Sequence, residues 1–426
     1  MADFWDRNSS TEWFDMDLKK TVPLVLHGDD AECHRRRSFM VVTWGSAVVH
    51  ATPWDSKFVV YVGDNSQCDE NCYTALDMWT TWSLVELMLG HWLDVDPWGR
   101  PFNRGKKGTI ANGWRAVLAF HKGDEKYMQK AYHMINSATS KNICFVCQVW
   151  MMTTSDFILN GCRANPFIRL PGFHISMVTN DWLHIIDLTL IPDAAASALL
   201  ELTENSNGPF PGRDQDDRLR AAYVQFSALC KQHNISHFAH VSKQLTGETK
   251  KNNVQFPTIA QKHMNGAEAV VMAKWLMGIC LAEAARNPGD VHSALRAVVF
   301  INLAQMRDAI SLKRDNPFCT LSEANIQKLQ QSNYLYHSAL NSLAVEAIDH
   351  GRLLWKIRPK VHKADHLAFD LAPRVNPLVL SCYMDEDAVG KMKRLAMKSH
   401  PQQLGRQVLA RYAAYVCCRW LRMLER

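Results

Sequence analysis

The sequence contains no unbroken apolar run of about 18 residues or more, so no membrane-crossing helix is expected. Its opening stretch, MADFWDRNSSTEWFDMDLKK, mixes acids and bases around no apolar core and does not read as a secretory leader. Cysteine is sparse. Twelve in 426 residues are too few for a disulfide scaffold, and without a leader they are expected as reduced thiols. Neither sign of charge dominates: 48 Lys and Arg against 42 Asp and Glu leave +6, which permits nucleic-acid contact without demanding it. There is no internal repeat and no low-complexity tract. Hydrophobic residues at 47% and charged residues at 21% exclude wholesale disorder. What the chain does have is tryptophan, 14 in all, most of it expected in the core.

Along the chain, TVPLVLHGDD (21–30) is a β-type apolar run that reads as stopping at Gly-Asp-Asp. Residues 35–50 and 57–63 are rich in Val, Phe, Trp and Tyr and predict two more strands around a Thr-Pro-Trp-Asp turn. Residues 73–92 have apolar positions at helical spacing and predict a helix covering a sheet. A Gly/Pro-rich loop (94–112), a strand near 114–121, a helix over 125–139 and a further strand around 167–177 follow. After about residue 180 the texture changes. Segments 182–204, 216–232, 258–286, 290–312, 322–350 and 402–424 carry Ala, Leu, Met, Gln and Lys at 3.6-residue spacing. The expected organisation is a polar lead-in (1–20), an α/β core (21–204) and a mainly helical region (205–426).

Five constellations can carry chemistry. Two apolar strands end in Gly-Asp, at Asp29 and Asp30 and at Asp124. Carboxylates held at the ends of neighbouring strands can share Mg²⁺, a hard cation suited to phosphoryl transfer; the plainer reading is a strand cap or turn. Cys144 and Cys147 form a CxxC that can serve zinc, redox chemistry or simple burial, and a tetrahedral zinc would need two more ligands. Asp181 and His184 stand three apart at the start of a helical run, where Asp181 also suits an N-cap. His362 and His366 stand four apart with Asp365 between them, a spacing open to zinc or to helix packing. Basic clusters at Arg35–Arg37, 104–107, 250–251 and 391–400 can track phosphates or form solvated faces.

The order of these pieces resembles the catalytic domain of CACTA-type (En/Spm-like) DNA transposases, members of the ribonuclease-H-like DDE superfamily. The segments that carry the resemblance are HGDDAECHRRRSFMVVTWGSAVVHATPWDSKF, then WSLVELMLGHWL and ANGWRAVLAFHKGDEKY, then KNICFVC, the D-x-x-H at 181–184, and PKVHKADHL. By motif order it covers roughly residues 22–205. It implies a ribonuclease-H-like mixed sheet with flanking helices, followed by a large helical region that interrupts the core before the third acid. Asp29 would be the first metal-binding acid, with Asp30 as alternative, and Asp124 the second. The third would be Glu268, or Glu346. Mg²⁺ or Mn²⁺ would be the cofactor. Cys144, Cys147, Asp181 and His184 would surround the core as structural, DNA-positioning or Zn²⁺-binding elements. In this sequence Gly28 precedes the first Asp, where the family has Gly after it.

The activity implied is cleavage and strand transfer of DNA phosphodiesters by a two-metal mechanism. DNA is the implied partner, with a homo-oligomer and a separate DNA-binding subunit also in view, no membrane, and nuclear localisation. Two other readings stand beside it: a catalytically inactive, transposase-derived DNA- or protein-binding protein, and a zinc-dependent hydrolase using His362 and His366.

Overall fold

The apolar runs near the N-terminus pair into a four-stranded mixed sheet of order β3-β2-β1-β4, with β1 at Thr21–Cys33, β2 at Arg37–Ser46, β3 at Phe58–Asp64 and β4 at Arg115–Gly123. The computed structural model describes residues 2–8, 16–33, 37–49, 51–102, 108–132, 144, 166–235, 255–312 and 319–424. β1, β2 and β3 form an antiparallel meander, while β4 runs parallel to β1. A parallel neighbour needs a crossover. Here the crossover contains the Glu70–Leu89 helix, capped by Asp69, whose side chain accepts the Cys72 N–H at 2.9 Å, and closed by left-handed Gly90.

The chain divides into two compact units. The first comprises residues 1–181, 318–320 and 374–426; the second comprises Trp182–Pro317 and Leu321–Pro373. The division therefore falls at residue 181 rather than 204, and the C-terminal segment belongs with the sheet.

In the first unit, side chains alternate across the sheet. Leu24 and Leu26 of β1 join Met40, Val42 and Leu118 in a core that also takes in Leu84 and Met128 from the helices Glu70–Leu89 and Glu125–Tyr132. Ala31 and Cys33 point the other way, with Phe39 and Val41, onto Val389 and Met392 of the helix Tyr383–Ala396 and Val408 of the helix Leu404–Leu424. Helices thus cover both faces, as a mixed α/β sheet requires.

Two local expectations change. β1 does not stop at Gly-Asp-Asp, because Asp29 and Asp30 still pair with Val41 and Met40 and the strand runs on to Cys33. The stretch 167–177 is not a strand. Pro166–Arg169 and Ile175–Met177 are 3₁₀ turns, Pro171 lacks a ladder donor, and among the described residues only the bridge His121–Val178 extends β4's edge. The helix predicted over 125–139 is described as far as Tyr132.

The second unit is helical: Leu183–Leu202, Gln215–Gln232, Gly266–Arg286, Val291–Ile310, Glu323–Asp349 and Pro359–Leu371. Leu183–Leu190 is wound as a π-helix and passes into α geometry near Pro192, which cannot donate an N–H. By length and composition alone, Leu183–Leu202 could cross a membrane, which the sequence reading did not anticipate; most of it is buried.

Candidate functional site

The parallel register of β1 and β4 sets Gly28 opposite Gly123, so Asp29, still within β1, and Asp124, just past the end of β4, each follow directly on adjacent strands. Both glycines are required by contact. A Cβ on Gly28 would collide with the Tyr127 ring, and one on Gly123 would meet that ring and the Gly28 carbonyl oxygen at 2.8 Å. Tyr127 is itself buried and bonded through its hydroxyl to His121 Nε2 at 3.2 Å.

The four carboxylates predicted in this unit take different places. Asp29 is half-buried, on the pleat side of His27 and Ala31, and its Oδ1 accepts the Asp30 N–H at 2.7 Å. Asp30 faces the opposite side, accepting from Asn65 Nδ2 at 3.0 Å with Lys130 Nζ at 3.7 Å. Asp124 is half-buried and caps the Glu125–Tyr132 helix, its Oδ1 accepting the Tyr127 N–H at 2.6 Å. Asp181 is buried and accepts the Cys382 N–H at 2.8 Å.

Beneath the Asp29–Asp124 rim lies a cluster that sequence reading missed. Asp385, in the first turn of the Tyr383–Ala396 helix, is fully buried and faces Lys122 Nζ at 2.6 Å and Lys57 Nζ at 3.0 Å, with His27 Nδ1 at 3.9 Å. Lys122 is 1% exposed and also donates to the Ser381 carbonyl at 2.9 Å. Burial alone would push the Asp385 carboxyl up, but the two ammonium charges outweigh it and hold it well below the ordinary range. Burial likewise opposes the Lys122 charge, and Asp385 overcomes it, so Lys122 is held above its ordinary value. Lys57 moves the other way: burial and repulsion from Lys122 pull it down despite Asp385. Burial lowers His27 to about 4 against the pull of Asp385, leaving the ring neutral near pH 7. The motif CYMDEDAVGKMKR carried a signal: three successive acids open a basic helix. The next residue, Glu386, is exposed.

The third-acid candidates lie in the helical unit. Glu268 is buried and closes a capping box: Asn265 Oδ1 accepts its N–H at 3.0 Å, and its Oε2 accepts the Asn265 N–H at 2.6 Å. Glu346 faces His292 Nδ1 at 2.9 Å, while His292 Nε2 meets buried Glu201 at 2.9 Å; the Glu201 bond leads the effects that raise His292 to about 9. Glu201 also accepts from Trp355 and Arg296.

Cysteine, histidine and aspartate groups able to hold a metal ion are present. In the first unit these include Asp181 and Cys382. In the second, His362 and His366 bring their Nε2 atoms to 3.2 Å, and His366 Nδ1 lies 2.5 Å from Asp370 Oδ2. A carboxylate on Nδ1 fixes the tautomer that turns the Nε2 lone pair outward. Two such nitrogens facing each other favour a shared proton or cation. His184 is half-buried, and its carbonyl accepts from Lys360 at 3.0 Å. Cys144 is buried, and Cys147 lies outside the described residues.

No protein-family model matches the sequence, and no curated protein matches it.

Proposed function

We propose that the first unit is a ribonuclease-H-like domain of the DDE transposase kind, acting on DNA phosphodiesters with divalent metal. The observation that carries the reading is the β1/β4 register, which brings two half-exposed carboxylates, Asp29 and Asp124, to the place where β4 ends beside β1. Their carboxylate oxygens are hard ligands that suit Mg²⁺ or Mn²⁺. The third ligand is Glu386 rather than Glu268. Glu386 is exposed on the helix whose preceding residue, Asp385, reaches His27 and Lys122, each two positions before a rim aspartate. Glu268 is spent on its capping box.

Bound metal would supply Lewis-acid activation of an attacking oxygen and charge stabilisation at the leaving oxygen. The chain's part is to hold and orient. Tyr127 packs against the two glycines that precede the aspartates, and Asp385 with Lys122 fastens the helix bearing Glu386. DNA as partner, a separate DNA-binding subunit and nuclear localisation belong to the same proposal.

The test is Mn²⁺ calorimetry on the wild type, Asp124→Asn and Glu386→Gln. Saturable binding, lost in both variants while their circular dichroism is unchanged, is the expected result. Equal binding in all three, or none in the wild type, would leave the second reading: a transposase-derived binding protein without catalysis. One observation favours that alternative. Lys57 and Lys122 place two positive charges under the rim, which works against added cations.

We also propose a structural Zn²⁺ at His362 and His366. Their 3.2 Å nitrogen separation is near the tetrahedral edge of roughly 3.3 Å implied by Zn–N distances of about 2.0–2.1 Å. Zinc content by mass spectrometry should fall in His366→Ala; an unchanged content would remove this site and the zinc-hydrolase reading with it.

A further inference from the structure

The helices Tyr383–Ala396 and Leu404–Leu424 of the first unit carry all of the protein's excess positive charge. From residue 388 to 424 the sequence has eight Lys and Arg and no Asp or Glu, leaving 40 of the 48 basic side chains against all 42 acids elsewhere. The net +6 is therefore one local surface on a slightly acidic remainder. Like charges this close repel one another, and an anionic partner removes that cost.

The charge is aimed outward by the packing of the two helices. Their apolar positions recur every three or four residues and are buried against the sheet: Val389, Met392 and Ala396 in the first, Val408, Tyr412 and Val416 in the second. The opposite positions face water, and Lys393, Arg394, Lys398, Arg406, Arg411 and Arg422 are exposed. Arg394 and Lys398 stand four apart on one face, and Arg411 and Arg422 stand eleven apart, about three turns, on another. Arg411 joins the two helices, donating to the Lys398 carbonyl at 2.6 Å and the Ser399 hydroxyl at 3.1 Å.

Little of this charge is spent inside the protein. Lys391 meets Asp387 at 2.7 Å and Arg419 meets Asp55 at 2.6 Å. Among the described residues, no carboxylate stands within ion-pair distance of Lys393, Arg394, Lys398, Arg406 or Arg422. Gly390 opens the same surface. It lies inside the first helix, where glycine is unfavourable, and a Cβ there would meet nothing within 4 Å, so packing does not require it. A glycine so placed lets an outside backbone approach closely. Glu386, Gly390 and Lys393 follow the i, i+4, i+7 spacing of one helix face, which leads from the proposed metal-binding acid into the basic surface.

The occupant follows from the charge and from what the surface lacks. From Lys393 to Arg411 there is no Phe, Tyr or Trp, and Met397 is the one exposed large apolar side chain. A membrane surface calls for apolar side chains that sink among the charges, and unpaired bases call for rings to stack on. Lys and Arg without either suit the outside of a duplex, which carries one phosphate charge per about 1.7 Å of its axis. We infer that Lys393, Arg394, Lys398, Arg411 and Arg422 form a surface for the phosphate backbone of double-stranded DNA, with Gly390 leaving room for the strand that leads to Glu386. The inference rests on the proposed function for the choice of DNA, and it deepens that reading by assigning the surface that holds the duplex. It uses none of the rim carboxylates.

The test is fluorescence anisotropy with the full chain, a labelled random-sequence duplex of about 25 base pairs and a chelator, over a range of salt. The triple variant Lys393→Gln, Arg394→Gln, Lys398→Gln is compared with Lys231→Gln, Lys262→Gln, Lys328→Gln. The second triple removes exposed basic side chains from the other unit and changes the net charge equally. Circular dichroism confirms that both fold, and Arg422→Gln adds a single exposed change on the second helix. The first triple should bind at least about tenfold more weakly at about 0.1 M salt. Its slope of log affinity against log salt should be shallower by about 2–3, at roughly 0.9 per lost phosphate contact. Arg422→Gln should show a smaller loss, and Gly390→Leu, which keeps the charge, should also weaken binding. The second triple and Asp124→Asn should bind as the wild type does, so that failed metal binding with intact duplex binding strikes the metal reading alone. The inference is overturned if the wild type does not bind the duplex, if both triples lose affinity equally, or if the first triple and Arg422→Gln lose none. Unchanged binding by Gly390→Leu would overturn the path toward Glu386. The inference is also overturned if phosphatidylserine vesicles bind more tightly than the duplex and the first triple loses that binding alone, since the surface would then face a membrane.

Discussion

Lys122 on the sheet and Asp385 on a C-terminal helix form an ion pair of 2.6 Å in which the two side chains are 1% and 0% exposed. They are separated by most of the sequence, yet they join the strand that ends at Asp124 to the helix that bears Glu386. A pair this buried adds little net stability over a good apolar contact, but removing one partner strands the other charge in a dry site.

Asp385→Asn should therefore destabilise the first unit by about 3–5 kcal/mol. Urea denaturation followed by tryptophan fluorescence measures it, and Lys122→Met in the same background should recover part of the loss. A change below about 1 kcal/mol would mean that water reaches the pair.

The pH dependence should have opposite signs in two places. His121, buried against Tyr127 and Tyr132, is lowered to about 3 by burial. The unfolded chain takes up its proton first, so stability is whole above about 6.5 and falls as pH drops toward 3. His292 is raised to about 9, chiefly by Glu201. The folded chain keeps that proton longer, so its contribution is whole below about 6.5 and is lost as pH rises through 9. Differential scanning fluorimetry across pH 4–10 should show melting temperatures falling at both ends. His292→Gln should flatten the alkaline limb alone; a limb that persists in this variant belongs to another group.

Glu268→Gln should cost about 1 kcal/mol or less, because glutamine still suits the third position of a capping box, and it should leave metal affinity untouched. Glu386→Gln should do the reverse, sparing stability and weakening Mn²⁺ binding. Calorimetry on the two proteins decides between them, and metal loss in Glu268→Gln would restore that residue as the third acid.

Gly28→Ala should destabilise by roughly 1–3 kcal/mol, because the methyl group enters the space of the Tyr127 ring. Gly28→Ala with Tyr127→Leu should regain stability relative to Gly28→Ala alone. If the double variant is merely additive, the collision is not the cause.

Much of this architecture was legible residue by residue. The Val- and aromatic-rich runs became β1 to β4, because β-branched and aromatic side chains suit a pleated, half-buried surface. The Ala- and Leu-rich segments after residue 180 became helices because their apolar positions recur every 3.6 residues. The segment 167–177 misled because its apolar content matched a strand while Pro166, Pro171 and Gly172 broke the ladder. The run of acids at 385–387 was visible, but local pattern did not single out Asp385, whose significance lies in Lys122, far away in sequence. Glu268, expected as the third acid, also forms a capping box with Asn265 three residues earlier, a role the spacing Asn-x-x-Glu already spells.

By itself, then, the sequence determined most of the strands and helices, and that two apolar runs each lead into Gly-Asp, since both follow from local propensity and pattern. Only the tertiary structure decided that those two strands are parallel neighbours, that Gly28 meets Gly123, and that the C-terminal segment returns to cover the sheet with Asp385 beneath its rim. Those are long-range pairings, set by which apolar faces can be buried together and by which buried charges can be neutralised. No window of neighbouring residues contains that information.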